Sequence, residues 1–137
     1  MLKDAHSQYK ETQIMTASQG QLIVMLYDGA IKFLKNALSS INDKKKYDQV
    51  NNNLIRAQDI ITELMLSLNF DAGDIADKLY ALYLYFNKRL VEGNIQKTSE
   101  PINEVLLHME NLRESWAKVA NQSADIEVPQ TGVNIST

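Results

Sequence analysis

Apolar residues recur every three or four positions along four successive stretches between residues 22 and 116. This spacing places side chains on one face of a helix, and each stretch is long enough for about five or six turns. No other periodic pattern in the chain competes with it. The sequence therefore predicts an all-α fold, an antiparallel four-helix bundle.

The periodicity divides the chain into three segments. Residues 1–17 are predicted to form a loose leader, residues 18–120 the bundle, and residues 121–137 a flexible tail where the pattern is lost. Ser18 followed by Gln21 matches a capping box, in which each side chain satisfies a free backbone donor of the other. We therefore expect the first helix to begin at Ser18.

The same spacing predicts the inward face of each helix. The expected core residues are Leu22, Met25, Leu26, Gly29, Phe33, Leu34, Ala37 and Ile41; then Val50, Leu54, Ala57, Ile61, Leu64 and Leu68; then Ile75, Leu79, Leu82, Tyr83, Phe86 and Leu90; and finally Ile102, Val105, Leu106, Met109, Leu112, Trp116 and Val119. Glycine inside a helix costs up to about 1 kcal/mol relative to alanine, so Gly29 predicts a close helix approach. Gly93 and Asn94 are predicted to end the third helix.

Composition narrows the classes of function. The formal net charge is −3 and the pI is near 5.3, which argues against a nucleic-acid-binding surface because such surfaces are densely basic. The longest apolar run, Leu79 to Phe86, has eight residues, whereas a membrane-spanning helix needs about 20. The N-terminal residues lack the apolar segment of a secretion signal, so we expect no membrane insertion and a cytoplasmic location.

The sequence contains few residues or motifs that could support catalysis or metal binding. It contains no cysteine and two histidines, His6 and His108. A di-metal site in a helical bundle requires two Glu-x-x-His pairs, whereas His108 follows Glu104 by four residues. The chain also lacks a glycine-rich phosphate loop and the Gly-x-Ser-x-Gly motif of hydrolases. We expect no catalytic residues, cofactor or metal.

The second and third helices carry more apolar residues than one inward face can hold. The residues assigned to a second apolar surface, a groove for a partner segment, are Ile55, Ile60, Leu64, Tyr80, Leu84 and Val91. A contiguous exposed apolar surface is typical of a protein-binding site. A wide core in which tyrosine hydroxyls reach the solvent is the alternative interpretation. In the leader, Tyr9, Ile14 and Met15 could cover the groove when no partner is bound.

Taken together, the motifs of the chain resemble those of the flagellin-specific export chaperones, the FliS family. The resemblance covers about residues 9 to 117. It rests on Tyr9; Thr16, Ala17 and Ser18; Leu22, Met25, Leu26, Tyr27, Asp28, Gly29, Ala30 and Ile31; Leu54, Ala57, Gln58, Ile60, Ile61, Glu63, Leu64, Ser67 and Leu68; Leu82, Tyr83 and Tyr85; Arg89, Leu90, Val91, Glu92 and Asn94; and Leu112, Arg113 and Trp116. Three positions depart from the family pattern. Gln19 stands where proline is usual, Leu84 stands where aspartate is usual, and Gly93 stands where alanine is usual.

The resemblance implies a cytoplasmic helical bundle that binds the disordered C-terminal region of flagellin, prevents premature polymerisation and delivers flagellin to the flagellar export apparatus. It also implies that Tyr9 contributes to docking at the export gate. We expect a monomer or a weak homodimer. The alternative is a self-assembling structural bundle without a client, whose second apolar surface would pair two copies.

Overall fold

The computed structural model describes the backbone of residues 19–131 and the side chains of residues 19–71 and 73–121. Four α-helices follow one another: α1 at Gln19–Ser40, α2 at Tyr47–Leu66, α3 at Asp74–Gln96 and α4 at Ser99–Thr131. Short 3-10 turns at Lys44–Lys46 and Phe70–Ala72 lie in the first two connections. No strand occurs in this part of the chain. The predicted all-α fold is confirmed.

Side-chain contacts show that neighbouring helices run antiparallel. On α1 and α2, a Cβ on Gly29 would lie 3.1 Å from the Ile60 Cδ1 atom, and Arg56 stacks 5.6 Å from the centre of the Phe33 ring. The residue numbers rise on one helix as they fall on the other. The first of these contacts gives a packing reason for Gly29, because a Cβ there would crowd the tip of the Ile60 side chain.

The remaining helix pairs repeat this arrangement. Two hydrogen bonds from side-chain amides join α2 to α3. Asn94 Nδ2 donates to Asn51 Oδ1 at 2.8 Å, and Asn87 Nδ2 donates to Thr62 Oγ1 at 3.4 Å. Between α3 and α4, Arg89 bonds Glu104, while Gly93 lies against Ile102. The α1–α4 pair is joined by ion pairs from Asp28 to Arg113 and from Lys35 to Glu110. These contacts close an antiparallel four-helix bundle within the compact unit of residues 26–113.

The core of this unit follows the predicted inward faces on some helices and departs from them on others. Its buried apolar residues are Tyr27, Ala30, Leu34, Ala37 and Ile41; Val50, Leu54, Ala57, Ile61 and Leu64; Ala76, Tyr83, Phe86 and Leu90; and Ile102, Val105 and Met109. The α2 face is confirmed over five positions. On α1, Tyr27 and Ala30 are buried whereas the predicted Leu26 and Phe33 are only partly so. The prediction for Ile75 is wrong, because its side chain is 58% exposed.

A pair of buried tyrosines joins α1 to α3 at the centre of the core. The hydroxyls of Tyr27 and Tyr83 lie 2.5 Å apart, and both side chains are fully buried. Phe86 packs against Tyr83 with ring centres 6.3 Å apart. A buried hydroxyl without a partner is costly, so this hydrogen bond satisfies the polar ends of two large core side chains.

The third helix does not end where the sequence predicted. It continues past Gly93 and Asn94 to Gln96, and Lys97 takes the left-handed conformation with φ 52°. The Lys97 amide donates to the Gly93 carbonyl, and its ammonium donates to Asn94. Gly93 is needed for close packing instead, because a Cβ there would lie 3.0 Å from Ile102 and 3.3 Å from the Thr98 carbonyl oxygen.

A second compact unit is formed by the two ends of the chain, of which residues 19–25 and 114–131 are described. Within it, a Cβ on Gly20 would lie 3.0 Å from the Ala120 Cβ atom. The helical backbone of α4 continues to Thr131, beyond the predicted end of the bundle at residue 120. The predicted leader, with Tyr9, Ile14 and Met15, and the predicted cap Ser18 lie outside the described residues.

Candidate docking groove between the second and third helices

Four of the six predicted groove residues lie on the outer side of the α2–α3 pair. Ile55 on α2 and Tyr80, Leu84 and Val91 on α3 have exposed fractions between 39% and 48%. We call the surface that these four side chains define the α2–α3 groove. Each is a large apolar side chain with much of its surface in solvent, as the sequence predicted.

Helix geometry and the two side-chain amide hydrogen bonds between α2 and α3 place these residues together. Tyr80, Leu84 and Val91 follow one another at intervals of four and seven, which keeps them on one face of α3. On α2, Ile55 lies four residues after Asn51 and seven before Thr62, and both of these bond to α3. The antiparallel register therefore sets Ile55 level with Val91 to within a turn.

Two of the predicted groove residues lie elsewhere. Leu64 is 1% exposed and belongs to the core, because it continues the buried α2 series of Leu54, Ala57 and Ile61 at helical spacing. Ile60 is partly buried and faces α1, where its Cδ1 atom approaches Gly29. Five helical positions turn through about 500°, which leaves Ile60 about 140° away from Ile55 around the helix, so the two side chains cannot share one side. The prediction of an exposed groove position is wrong for both residues.

The groove extends at one end through two residues outside the six predicted groove positions. Leu66 is 75% exposed at the end of α2, and Phe70 is 52% exposed in the following turn. The Phe70 ring meets the Tyr80 ring edge-on, with centres 5.8 Å apart. An aromatic residue between Asn69 and Asp71 in this turn was the available signal for Phe70.

The centre of the groove is polar. Asn87 lies between Leu84 and Val91 on the same face of α3, and Thr62 faces it from α2. The Asn87 Nδ2 to Thr62 Oγ1 distance of 3.4 Å is long for a hydrogen bond, and the buried Asn87 Oδ1 has no partner among the described residues. The sequence signal for Asn87 was one polar residue inside an apolar series at helical spacing.

A charged network fixes α3 against α4 on the side away from the groove. Arg89 Nε donates to Glu104 Oε1 at 2.6 Å, and its other nitrogens approach Glu92 at 3.0 Å and Glu100 at 3.8 Å. The Tyr85 hydroxyl donates to Glu104 Oε2 at 2.6 Å. Both Glu104 oxygens are therefore held, which limits rotation of α3 about its axis.

These bonds shift the pKa values of all three partners. The Tyr85 hydrogen bond, and then that of Arg89, lower the pKa of Glu104 because both bonds favour the carboxylate form. The same bonds raise the pKa of Tyr85 and that of Arg89, since each donor must keep its proton to bond the carboxylate. At neutral pH the three groups hold the protonation states that the network requires.

We predict that part of the acid sensitivity of folding comes from Glu104. A carboxyl whose pKa is lowered by folding stabilises the folded state above its unfolded-state pKa, and this contribution is lost as the pH falls through the folded-state pKa. Urea unfolding, measured at neutral pH and in steps down to about pH 3, should show a smaller acid loss for Glu104→Gln than for the original chain. The exposed Glu63→Gln control should follow the original chain. Parallel curves for Glu104→Gln and the original chain would contradict the prediction.

The fold and this surface define a class of helical bundle with an exposed, mainly apolar groove on one helix pair. Among residues 19–71 and 73–121, no group of three or more side chains is arranged to hold a metal ion. None of the helices, over their described residues, is long and apolar enough to cross a bilayer.

Comparison with known proteins assigns this bundle to a family. The family model described as flagellar protein FliS matches residues 1–123. The chain is 34% identical to the flagellar secretion chaperone FliS of Bacillus subtilis over 122 residues, covering 89% of this chain and 90% of that protein. The flagellar secretion chaperone FliS of Escherichia coli is 32% identical over 108 residues, covering 77% and 79%. The chain belongs to the FliS family of flagellar secretion chaperones, which are not enzymes.

Proposed function

We propose that this protein is a cytoplasmic export chaperone that binds the disordered C-terminal region of flagellin in the α2–α3 groove. By holding that region, it prevents premature polymerisation and delivers flagellin to the flagellar export apparatus. The observation that carries the proposal is the position of Ile55, Tyr80, Leu84 and Val91, half exposed together on one helix pair of a secretion chaperone.

The dimensions of the groove suit a helical segment. From residue 80 to residue 91, α3 rises by about 16 Å at 1.5 Å per residue. A bound segment of about three turns can place apolar side chains at intervals of three and four along that length. An unfolded client loses conformational entropy on binding, and the apolar area that it buries offsets this cost.

The leader gives a route to reversible binding. We propose that Tyr9, Ile14 and Met15 cover the groove when no client is bound, so that displacing them lowers the net affinity. A moderate affinity suits a chaperone that must release its client. Tyr9 would then be free to contact the export gate when the client occupies the groove.

Calorimetric titration of the full chain with a synthetic peptide of the flagellin C-terminal region tests the proposal. We expect saturable one-to-one binding with a negative heat-capacity change, which marks the burial of apolar surface. Sedimentation of the free chain should show a monomer or a weak homodimer. A strong client-free oligomer, together with no saturable peptide binding, would instead identify a self-assembling bundle.

A further inference from the structure

Asn87 interrupts the apolar side of the α2–α3 groove at its middle. Counted from Tyr80, the residues Leu84, Asn87 and Val91 lie at intervals of four, seven and eleven, all on one face of α3. An aliphatic residue at position 87 would make this face continuously apolar. Hydrophobic binding alone therefore does not explain a polar side chain at position 87.

The hydrogen bonds of Asn87 are incomplete. Its Nδ2 reaches Thr62 Oγ1 only at 3.4 Å, and its Oδ1 is buried without a partner among the described residues. The other amide pair between these helices differs, because Asn94 donates to Asn51 at 2.8 Å. A buried acceptor without a donor destabilises a fold, so Asn87 weakens the free bundle at this position.

The partly exposed position of Asn87 allows a bound segment to supply the missing donor. The residue as a whole keeps intermediate exposure, and its long bond to Thr62 is weak enough that turning the side chain towards the groove loses little. When a bound helix closes the groove, a hydrogen bond from the segment to the Asn87 oxygen is shielded from water and becomes stronger. A client without a donor at this point leaves the acceptor unsatisfied under an apolar cover.

We propose that Asn87 is a specificity-determining residue of the groove. It selects segments that carry an amide or hydroxyl side chain at the middle of their apolar face, flanked one turn away on each side by the apolar residues that meet Leu84 and Val91. Such a segment is preferred over a uniformly apolar helix, because only a donor satisfies the Asn87 oxygen, which is already buried without a partner among the described residues in the free chain. This inference rests on the proposed function, since the segment is the C-terminal region of flagellin.

A double-mutant cycle on the full chain tests this inference. Each amide or hydroxyl residue of the flagellin C-terminal peptide is replaced in turn by alanine, and each peptide is titrated calorimetrically against the original chain and Asn87→Leu. We expect one replacement to weaken binding to the original chain about tenfold and to have little effect on Asn87→Leu. The exposed Asn103→Leu on α4 is the matched control and should respond to every peptide as the original chain does.

The outcomes separate this inference from the proposed function. The inference is overturned if every peptide replacement lowers affinity equally for the original chain and for Asn87→Leu. It is also overturned if no amide or hydroxyl replacement weakens binding to the original chain. The second result stands even if Asn87→Leu does not fold. No binding of the unmodified peptide to the original chain overturns the proposed function, and the inference with it.

Discussion

Val91→Asp is expected to weaken binding of the flagellin C-terminal peptide by about 100-fold or more while leaving the folded structure intact. Val91 is 42% exposed and lies level with Ile55, so an aspartate there remains hydrated in the free chain. A bound helix would cover the carboxylate with apolar side chains and provide no partner for its charge. Calorimetry should record the lost affinity, and far-ultraviolet circular dichroism should record an unchanged helical signal.

Leu107→Asp is the matched control for this prediction. Leu107 is 60% exposed on α4, and its substitution adds the same charge to an exposed apolar position outside the groove. We expect peptide binding to be nearly unchanged. Ile55→Asp should behave as Val91→Asp does, since it charges the facing helix at the same level. Equal peptide affinity for Val91→Asp and Leu107→Asp would contradict the assignment of the groove.

Phe86→Ala is expected to lower the free energy of unfolding by about 3–5 kcal/mol. The Phe86 side chain is fully buried between the Tyr83 and His108 rings, with ring centres at 6.3 Å and 5.7 Å. Removing it leaves a cavity that the surrounding helices can fill only in part. Because small domains are stable by about 5–15 kcal/mol, this loss should appear as a large shift of the urea unfolding midpoint.

Leu84→Ala on the same helix provides the comparison. Leu84 is half exposed, so its truncation should cost less than about 1 kcal/mol. Phe86→Ala should reduce peptide binding only in proportion to the unfolded fraction, whereas Val91→Asp should reduce binding to a fully folded chain. A small stability loss for Phe86→Ala would show that its ring is not part of a tightly packed core.

The sequence predicted the α2 core because the residues of its inward face recur at regular helical spacing, although α2 also carries apolar residues outside that face. Val50, Leu54, Ala57, Ile61 and Leu64 recur at intervals of three and four and are all buried. The first helix begins with a continuous apolar run over residues 22–27, so its periodicity leaves the rotation of the helix undetermined. Contacts with the other helices, such as that of Tyr27 with Tyr83, fix the rotation. This explains why Tyr27 and Ala30 were missed.

Residue preferences at helix ends did not predict the C-terminal end of α3 correctly. Glycine is the usual residue at a helix C-terminus, which made Gly93 the predicted end. The structure places the left-handed residue at Lys97, whose ammonium lies 5.4 Å from the Tyr47 ring centre and bonds Asn94. The contact with Tyr47 joins residues distant in sequence and could not be derived from the local pattern.

The groove was predicted in part, for a related reason. The sequence showed that α2 and α3 carry excess apolar residues, but not which neighbour covers each side of α2. Ile60 faces α1 and Ile55 lies beside α3, a distinction that depends on the arrangement of the four helices. Asn87 was missed because the prediction followed apolar residues, and a polar side chain is not part of such a pattern. Its position between Leu84 and Val91 on the same face of α3 is what makes it a candidate for specificity.

Site-specific photocrosslinking tests the central claim most directly, because it reports where the client lies. A benzophenone amino acid is placed at position 84, in the groove, or at position 107, on the outer side of α4, and each folded variant is irradiated with the flagellin C-terminal peptide. We expect strong crosslinking from position 84, suppressed by excess unlabelled peptide, and little from position 107. Specific crosslinking from position 107 with none from position 84 would contradict the account.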